Sequence, residues 1–237
     1  MTREQLRRRL STEAAARYRR AGLFAFFLAR GKLSSDPVFP LLLARGLIDD
    51  RATLLDLGCG QALLSVWLDT ALDCHGRGEW HDAWPAPPGL KSYRGIDQSP
   101  SDIARATVAL GPRATVEAGD ICTADYRSAD VIVMLDVLHY LDPPNQDRTL
   151  ERVRAALRPA GTLLLRVGDA GAGFRFTFSH LLDRLVRFCR GHGASRLHCR
   201  TLKDWSSALE RAGFASFPTP ISDGPPFSNV LIVAIPR

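Results

Sequence analysis

Residues 53–62, Thr-Leu-Leu-Asp-Leu-Gly-Cys-Gly-Gln-Ala, constrain the fold of this chain more than any other stretch. Residues 53–57 are apolar or β-branched apart from Asp56, which predicts a buried strand. Gly58 and Gly60 follow, and an apolar run suited to a helix begins at Ala62. A strand that turns through glycines into a helix brings bare backbone N–H groups and a positive dipole end to a ligand. The stretch therefore predicts a nucleotide-type binding loop, whose ligand depends on the other strand ends.

Strand and helix patterns alternate along the chain from this stretch onwards. Strand-like runs lie at residues 53–57, 92–96, 114–117, 130–135, 162–167, 215–219 and 229–235. Helical patterns lie at residues 1–30, where Gly31 is expected to end the helix, and at 41–47, 61–72, 99–110, 145–157 and 201–212. The alternation predicts an α/β, Rossmann-like three-layer sandwich with a seven-stranded, mostly parallel sheet. The last two strands are joined by a stretch too short for a crossover helix, so we expect an antiparallel terminal hairpin.

The same pattern predicts how the chain is divided. We expect a helical N-terminal lid over residues 1–50 and a Rossmann-like domain over residues 51–237. Two inserts interrupt that domain, one rich in proline and tryptophan at residues 74–91 and one rich in phenylalanine and arginine at residues 169–200. These additions to the sheet are where specificity for a substrate is expected.

Composition and charge limit the class of protein. Of the 237 residues, 46% are apolar and 24% are charged, as in an enzyme with one sizeable core. Five scattered cysteines without a Cys-x-x-Cys pair predict reduced thiols and a cytoplasmic location. No run approaches the ~20 apolar residues of a membrane span.

The net charge is +6, and the excess of basic residues is concentrated in two segments. Residues 1–45 hold ten basic residues against three acidic ones, and residues 174–203 hold seven against one. Charge runs of this kind are usually solvated helix faces. The alternative is that both segments face an anionic partner, and the phenylalanines at the end of the N-terminal helix could pack as core, roof a cavity or lie on a membrane surface.

Acidic residues occur at the ends of four successive predicted strands. They are Asp56, Asp97, Asp120 and Asp136. The carboxyl ends of parallel strands meet along one edge of a sheet, where ligands collect. An acid after the second strand hydrogen-bonds a ribose diol in nucleoside-binding folds, and an acid after the third can accept from an adenine amino group. So many carboxylates would repel a pyrophosphate and would attract a cationic ligand that carries hydroxyls.

These motifs resemble those of the class I S-adenosylmethionine-dependent methyltransferases. The resemblance spans residues 50–168 and includes the Leu-Asp-Leu-Gly-Cys-Gly string, the Leu-Asp-Val-Leu-His segment at 135–139 and Leu-Arg-Pro-Ala-Gly at 157–161. It implies S-adenosylmethionine as the cofactor and a set of binding residues: Asp56, Gly58, Cys59 and Gly60 for the methionine part, Asp97 and Gln98 for the ribose, Asp120 and Ile121 for the adenine, and Asp136 near the sulfonium. Ala62 and Ala160 depart from the family pattern, which has glycine more often at both places, and tighter loops are expected there.

An oxygen nucleophile would need a general base, and His139 is the candidate by position. A histidine that only packs below the cofactor is at least as well supported, and His180 and His198 are lesser candidates. No metal site is expected, because the spacing of Cys189, His192, His198 and Cys199 does not suit a tetrahedral zinc site.

The acceptor is expected to be a small molecule with a hydroxyl or carboxyl group. Phenylalanines with arginines suit an aryl or acyl group that bears a carboxylate, or one that is tethered to an acyl carrier protein. The segment that begins with Arg166 and Asp169 and continues into the second insert also resembles small-molecule methyltransferases of bacterial secondary-metabolite and pigment pathways. The phenylalanines and arginines of that insert are Phe174, Arg175, Phe176, Phe178, Arg184, Arg187, Phe188, Arg190, Arg196 and Arg200.

Three other functions stay open. An RNA methyltransferase would use the basic N-terminus for phosphate contacts, although no RNA-binding module is recognised and nucleic acid is disfavoured as a partner. A nicotinamide oxidoreductase would use the same loop, but the missing third glycine and the acidic strand ends disfavour it. A non-enzymatic module that keeps a vestigial cofactor site is the third. The sequence does not decide the oligomeric state.

Overall fold

The computed structural model describes residues 1–111, 114–170, 197–221 and 229–237. Its α-helices are α1 (Arg3–Ala16), α2 (Leu23–Ser35), α3 (Val38–Ala44), α4 (Leu63–Gly76), α5 (Pro100–Ala109), α6 (Pro143–Ala156) and α7 (Leu202–Arg211). Two 3₁₀ helices span Arg17–Ala21 and Leu138–Tyr140. Its strands are β1 (Thr53–Leu57), β2 (Ser92–Asp97), β3 (Ala114–Ala118), β4 (Ala129–Leu135), β5 (Leu157–Gly168), β6 (Phe214–Pro220) and β7 (Asn229–Pro236).

The strands form one seven-stranded sheet in the order β3-β2-β1-β4-β5-β7-β6. The pairs β1–β2 and β2–β3 are parallel, whereas β7 runs antiparallel to both β5 and β6. The order reverses between β1 and β4, which is the place where open α/β sheets bind ligands. The predicted mostly parallel sheet with an antiparallel terminal hairpin is confirmed.

The chain divides into two compact units, of which the first comprises Met1–Asp125 and Ala129–Val131. Within it, α1 packs against α2 and α4. The indole of Trp67 is fully buried, and its Nε1 donates to the Phe39 carbonyl in α3 at 3.1 Å. The first 50 residues are therefore joined to the sheet helices of this unit through buried contacts, and their role as a lid stays a prediction.

The N-terminal helical region differs from the single helix that its periodicity predicts. It consists of α1, a 3₁₀ turn and α2, and Gly22 between the turn and α2 has a φ of +107°. This backbone conformation is open to glycine and strained for other residues. Gly31 does not end the helix either, because α2 continues to Ser35 and its residues Ala25, Ala29 and Leu33 are buried on one face. Burial of that face outweighs the modest helix propensity of one glycine.

The second unit comprises Tyr126–Ser128 and Ile132–Arg237. The hairpin β6–β7 lies beside β5, and α7 packs on β6 with the side chains of Trp205 and Phe214 fully buried. No helix among the described residues is long and apolar enough to cross a membrane. The four described cysteines (Cys59, Cys74, Cys122 and Cys199) are free thiols.

Candidate cofactor site

The loop between β1 and α4 is built from left-handed backbone conformations. Gly58, Gly60 and Ala62 have φ values of +76°, +54° and +56°. A Cβ on Gly60 would meet no heavy atom within 4 Å, so the backbone there borders open space. Ala62 is fully buried at the N-cap of α4 and adopts the conformation that glycine adopts most easily. The sequence predicted the loop, and the structure shows that its third tight position is occupied by alanine.

Backbone hydrogen bonds within the unit use most N–H groups of this loop. The N–H groups of Gly58 and Cys59 donate to the Ile96 carbonyl at 2.8 and 3.2 Å, and that of Ala62 donates to the Cys59 carbonyl at 2.9 Å. The N–H of Gly60 donates to Asp97 Oδ2 at 2.8 Å. The expectation of bare N–H groups along the loop was therefore wrong for these four residues. Such a loop has little to offer a phosphate, and carboxylates dominate its surroundings.

Asp97, at the end of β2, is fixed by two backbone groups. Its Oδ2 accepts from Gly60 and its Oδ1 accepts from the Ser99 N–H at 2.9 Å. Each carboxylate oxygen has two lone pairs, so each keeps one acceptor site. The side chain is only half-buried, and Gln98 beside it is exposed. The arrangement leaves two acceptors with fixed positions, which is what the two hydroxyls of a ribose require.

Asp56 lies at the end of β1 and is 4% exposed. The Tyr93 hydroxyl donates to its Oδ2 at 2.6 Å. The pKa of the Asp56 carboxyl is raised to about 7, chiefly by burial; the hydrogen bond from Tyr93 acts to lower it and the nearby charge of Asp97 acts to raise it. Burial also raises the pKa of Tyr93 well above its usual value, so the phenol remains the donor of this pair. A ligand cation beside Asp56 would favour its ionised form.

Gly95 allows the loop to approach the sheet. A Cβ at this position would lie 2.7 Å from Cys59 Sγ and 3.1 Å from Val116 Cγ1. Tyr93, Gly95 and Asp97 alternate along β2 and so lie on one face of the strand. That spacing was the sequence signal for Tyr93 and Gly95, and the sequence prediction missed both as site residues.

Replacing Gly95 by alanine is expected to destabilise the chain by ~1–3 kcal/mol, because the new methyl group has no room against Cys59. Chemical denaturation measures the change in the free energy of unfolding. In the double variant Gly95→Ala/Cys59→Ala the sulfur is gone, so part of the loss should be recovered. Gly31→Ala is the matched control: a Cβ there meets nothing within 4 Å, and alanine favours the helix. Equal effects of Gly95→Ala and Gly31→Ala would contradict the close approach.

Buried side chains also hold the loop from its other side. The Tyr18 hydroxyl donates to the Gln61 carbonyl at 2.7 Å, and the Gln61 Nε2 donates to Asp102 Oδ1 at 3.1 Å. Gln61 is 1% exposed, and its Oε1 has no hydrogen-bond partner among the described residues. Tyr18 and Asp102 were missed by the sequence prediction, because their link to the loop depends on tertiary packing. The unsatisfied acceptor suits a site that is completed by a ligand or a water molecule.

The turn after β3 contains the predicted adenine residues. Asp120 is exposed, and its Oδ1 accepts from the Cys122 N–H at 2.8 Å. Ile121 is 7% exposed, and the Gly119 N–H donates to the Asp97 carbonyl at 2.9 Å. The ends of β1, β2 and β3 are thus joined by hydrogen bonds within the first unit, which brings eight of the nine predicted cofactor residues into one region.

Asp136 belongs to the second unit and makes a strong ion pair there. It has a φ of +59°, which is rare for a residue other than glycine. Arg166 of β5 is 2% exposed, and its Nε donates to Asp136 Oδ1 at 2.8 Å while its second nitrogen contacts Oδ2. Arg166 therefore compensates much of the Asp136 charge.

His139, the candidate base, is 5% exposed in the short 3₁₀ helix of the second unit. Its ring stacks edge-to-face on Tyr140 at a centroid distance of 4.3 Å, and its carbonyl accepts from the His198 N–H at 2.8 Å. The choice between a base and a packing residue stays open. His180, Cys189, His192 and the phenylalanines of the second insert lie outside the described residues.

Three residues that were not predicted as site residues have the spacing of possible metal ligands. One ligand atom each of Glu13, Cys74 and Glu79 lies within 4.8 Å of the others. The guanidinium of Arg77 enters the cluster, at 2.8 Å from both glutamates and 3.2 Å from Cys74 Sγ. Burial and the glutamates raise the pKa of the Cys74 thiol to about 11. The cluster is accordingly a network of ion pairs around an arginine.

Comparison with known proteins identifies the family. The model of a family described as "Methyltransferase domain" matches residues 35–217. The chain belongs to this methyltransferase family. A relative named carboxy-S-adenosyl-L-methionine synthase, from Chromohalobacter salexigens, is 34% identical over 130 residues. That match covers 51% of this chain and 43% of the relative, so the chain spans less than half of the curated protein that it matches.

Solved structures agree with the fold of a class I methyltransferase. A methyltransferase from Haloferax volcanii, solved with the Trm112 methyltransferase activator, matches with a TM-score of 0.65 and 17% identity over 96% of this chain and 97% of that one. Magnesium protoporphyrin IX methyltransferase from Synechocystis, solved with bound S-adenosylhomocysteine, matches with a TM-score of 0.58 and 17% identity over 98% and 99% of the chains. As a member of this family the chain is an S-adenosylmethionine-dependent methyltransferase, and the two solved structures, at 17% identity, support its fold.

Proposed function

We propose that this methyltransferase transfers the methyl group of S-adenosylmethionine to an oxygen of a small-molecule acceptor. The acceptor is an aromatic or acyl compound with a hydroxyl or carboxyl group, free or tethered to an acyl carrier protein. The observation that carries the proposal is Asp97, a carboxylate with two fixed acceptor sites next to the glycine loop. The likeness to a methyltransferase whose named substrate is magnesium protoporphyrin IX supports a small acceptor.

The cofactor roles follow from the chemistry of each position. Asp97 accepts from the ribose hydroxyls, with Gln98 beside it. Asp56 would hold the ammonium group of the methionine part, and Gly58, Cys59 and Gly60 would hold the rest of that part. Asp120 and Ile121 hold the adenine, the first by accepting from its amino group and the second by apolar contact. In the second unit, Asp136, whose carboxylate Arg166 orients, would be the acid near the sulfonium.

The cofactor supplies an electrophilic methyl group on a sulfonium centre. The chain orients the two reactants and excludes water, and both effects lower the barrier to an in-line displacement. His139 accepts the proton of the acceptor hydroxyl as a general base. This role is compatible with its near-complete burial, which keeps the ring out of bulk water.

The pH dependence of cofactor binding tests the position of Asp56. A cation prefers the ionised carboxylate, and the pKa of Asp56 is raised to about 7 by burial. Affinity for S-adenosylmethionine should therefore fall about tenfold between about pH 8 and about pH 6, as the carboxyl takes up a proton. Calorimetric titration in two buffers should show proton release on binding near pH 6. Asp56→Asn should bind weakly at every pH, and a pH step that survives this substitution would assign the titration to another group.

The raised pKa of Asp56 also predicts how the free energy of unfolding depends on pH. The folded chain binds a proton at Asp56 more tightly than the unfolded chain does, so its stabilising contribution is present below about pH 4 and is lost as pH rises through about 7. Cofactor binding and folding therefore change in opposite directions across this range. Urea denaturation of the wild type and of Asp56→Asn at several pH values isolates the contribution.

Replacing His139 by alanine separates the base from a packing residue. A base predicts a loss of turnover of about 10²–10⁴-fold while affinity for S-adenosylmethionine is kept. A packing residue predicts a lower free energy of unfolding with turnover reduced only in proportion to the folded fraction. His139→Gln serves as a second variant that fills more of the buried space.

The function itself is tested with S-adenosylmethionine that carries an isotopic label in its methyl group. Purified chain is incubated with hydroxylated aromatics, aromatic carboxylic acids and acyl carrier proteins loaded with hydroxyacyl groups, and products are analysed by mass spectrometry. Label in a small acceptor supports the proposal. Label in RNA, a carboxylated S-adenosylmethionine, or cofactor binding without any transfer would each replace it with a different function.

A further inference from the structure

One face of α2 exposes large apolar side chains to solvent. Leu23 is 76% exposed, Phe27 62% and Phe24 43%. Positions 23 and 27 are separated by one helical turn, and positions 24 and 27 by three residues, so the three side chains form one contiguous patch. The opposite face of the helix is buried through Ala25, Ala29 and Leu33. A monomeric protein seldom leaves large apolar groups clustered in this way without a binding function.

The chain segment that carries this patch is basic. Residues 14–35 contain five basic residues and no acidic residue. Arg17 pairs with Asp69 and Asp73, and Lys32 pairs with Asp36. The remaining three, Arg19, Arg20 and Arg30, are exposed and form no ion pair among the described residues. Arg30 follows Phe27 on the same face, one turn further along α2.

Arginines also hold the aromatic rings in place. The Arg105 guanidinium lies 4.7 Å from the Phe24 ring centroid and 2.9 Å from Asp102, which is buried beneath it. The Arg19 guanidinium lies 5.4 Å from the Phe26 ring centroid. Gly22, with its φ of +107°, turns the chain so that α2 starts directly at Leu23. The patch is therefore built on an ordered helix with fixed cations at its rim.

We infer that the exposed face of α2 binds an anionic lipid surface. Leu23, Phe24 and Phe27 enter the boundary between headgroups and acyl chains, while Arg19, Arg20 and Arg30 contact lipid phosphates. The charge decides between occupants: an uncharged apolar partner would gain nothing from three unpaired arginines, and a second copy of this chain would bring the same positive charge. The inference is independent of the proposed acceptor, because no residue in it belongs to the cofactor loop.

Vesicle sedimentation of the full chain tests the inference. The probes are vesicles of phosphatidylcholine alone and vesicles in which about a third of the lipid is phosphatidylglycerol, a composition chosen to add surface charge. Binding is expected only to the anionic vesicles. Leu23→Ala/Phe27→Ala and, separately, Arg20→Glu/Arg30→Glu should each lower the partition coefficient at least about tenfold.

Matched controls exclude loss of folding and unspecific effects. Phe217→Ala removes a phenyl group that is 54% exposed on β6, and Arg148→Glu/Lys203→Glu reverses two exposed charges of the second unit. Both should leave vesicle binding within about twofold of wild type, because effects at sites outside the patch are small. Thermal unfolding of every variant should be close to that of wild type.

Several outcomes would overturn the inference. They are equal binding to neutral and anionic vesicles, no binding to either, and equal losses in the patch and control variants. A fourth is a dimer in sedimentation velocity that Leu23→Ala/Phe27→Ala dissociates while vesicle binding is absent, because a second copy would then occupy the face. Capture of an acidic carrier protein by the same face, without lipid binding, would likewise replace lipid with protein.

Discussion

Replacing Asp97 by alanine is expected to weaken binding of S-adenosylmethionine by more than about tenfold, because two charge-assisted hydrogen bonds to the ribose are lost. The substitution also removes the acceptors of the Gly60 and Ser99 N–H groups, so the loop loses its fixed connection to β2. Both consequences act on the cofactor site. Calorimetric titration with S-adenosylmethionine and S-adenosylhomocysteine measures the loss.

Two further variants show which consequence dominates. Asp97→Asn keeps one carbonyl oxygen and loses the charge, so it should bind more tightly than Asp97→Ala and more weakly than wild type. Asp82→Ala removes an exposed acid in the proline-rich insert and should leave affinity unchanged. Unaltered affinity in Asp97→Ala would remove this residue from the cofactor site.

Replacing Arg166 by methionine is expected to lower the free energy of unfolding by about 3–5 kcal/mol, since the buried ion pair with Asp136 loses one partner. Arg166 is 2% exposed, whereas the Asp136 side chain is 20% exposed and would regain some hydration. The lower end of that range is therefore the sharper expectation. The free energy of unfolding of Arg166→Lys should lie between those of wild type and Arg166→Met, because an ammonium group cannot contact both carboxylate oxygens as a guanidinium does.

Arg148→Met provides the control for Arg166→Met. Arg148 is exposed on α6, so its replacement should change the free energy of unfolding by no more than about 0.5 kcal/mol. Urea denaturation of both variants gives the comparison. Equal effects would mean that the Arg166–Asp136 pair contributes nothing beyond an ordinary surface arginine.

Much of the sheet could be predicted from the sequence because each strand is short, apolar and bounded by polar or glycine-rich segments. The first strand has the predicted bounds, and the parallel order with a terminal hairpin is confirmed. β5 is longer than predicted, since it begins at Leu157 directly after α6. A tight loop was expected at Ala160, whereas residues 158–160 are exposed within this strand, a position that tolerates a proline.

The break in the N-terminal helical region could not be predicted from periodicity. Apolar residues recur at helical spacing on both sides of Gly22, and nothing in that spacing shows that the chain changes direction. Tertiary packing decides it: Tyr18 in the 3₁₀ turn is buried against the Gln61 carbonyl, and α2 then starts on a new axis. The sequence left three interpretations for the apolar residues at the end of this region: packing as core, roofing a cavity, or lying on a membrane surface. Because Leu23 and Phe27 are exposed, they do not pack as core.

Some features of the candidate site could likewise be predicted from the sequence and others could not. The acids were predicted because they lie at the ends of strands, and such positions share one edge of a sheet. Their separate environments were not predicted. Asp56 is buried against Tyr93, Asp97 is bound by two N–H groups, and Asp136 is paired with Arg166, a lone arginine in an apolar strand. An arginine within a buried strand requires an acid nearby, and that was the available signal for the pair.

A crystal structure of the chain with S-adenosylhomocysteine would show which residues hold the cofactor. Both ribose hydroxyls are expected within hydrogen-bonding distance of the Asp97 carboxylate, with the homocysteine part over Gly58 and Gly60 and its ammonium group towards Asp56. The Gly60 N–H and the Ser99 N–H should keep their bonds to Asp97. A nucleoside bound elsewhere, with Asp97 facing only solvent, would contradict the assignment of this loop as the cofactor site.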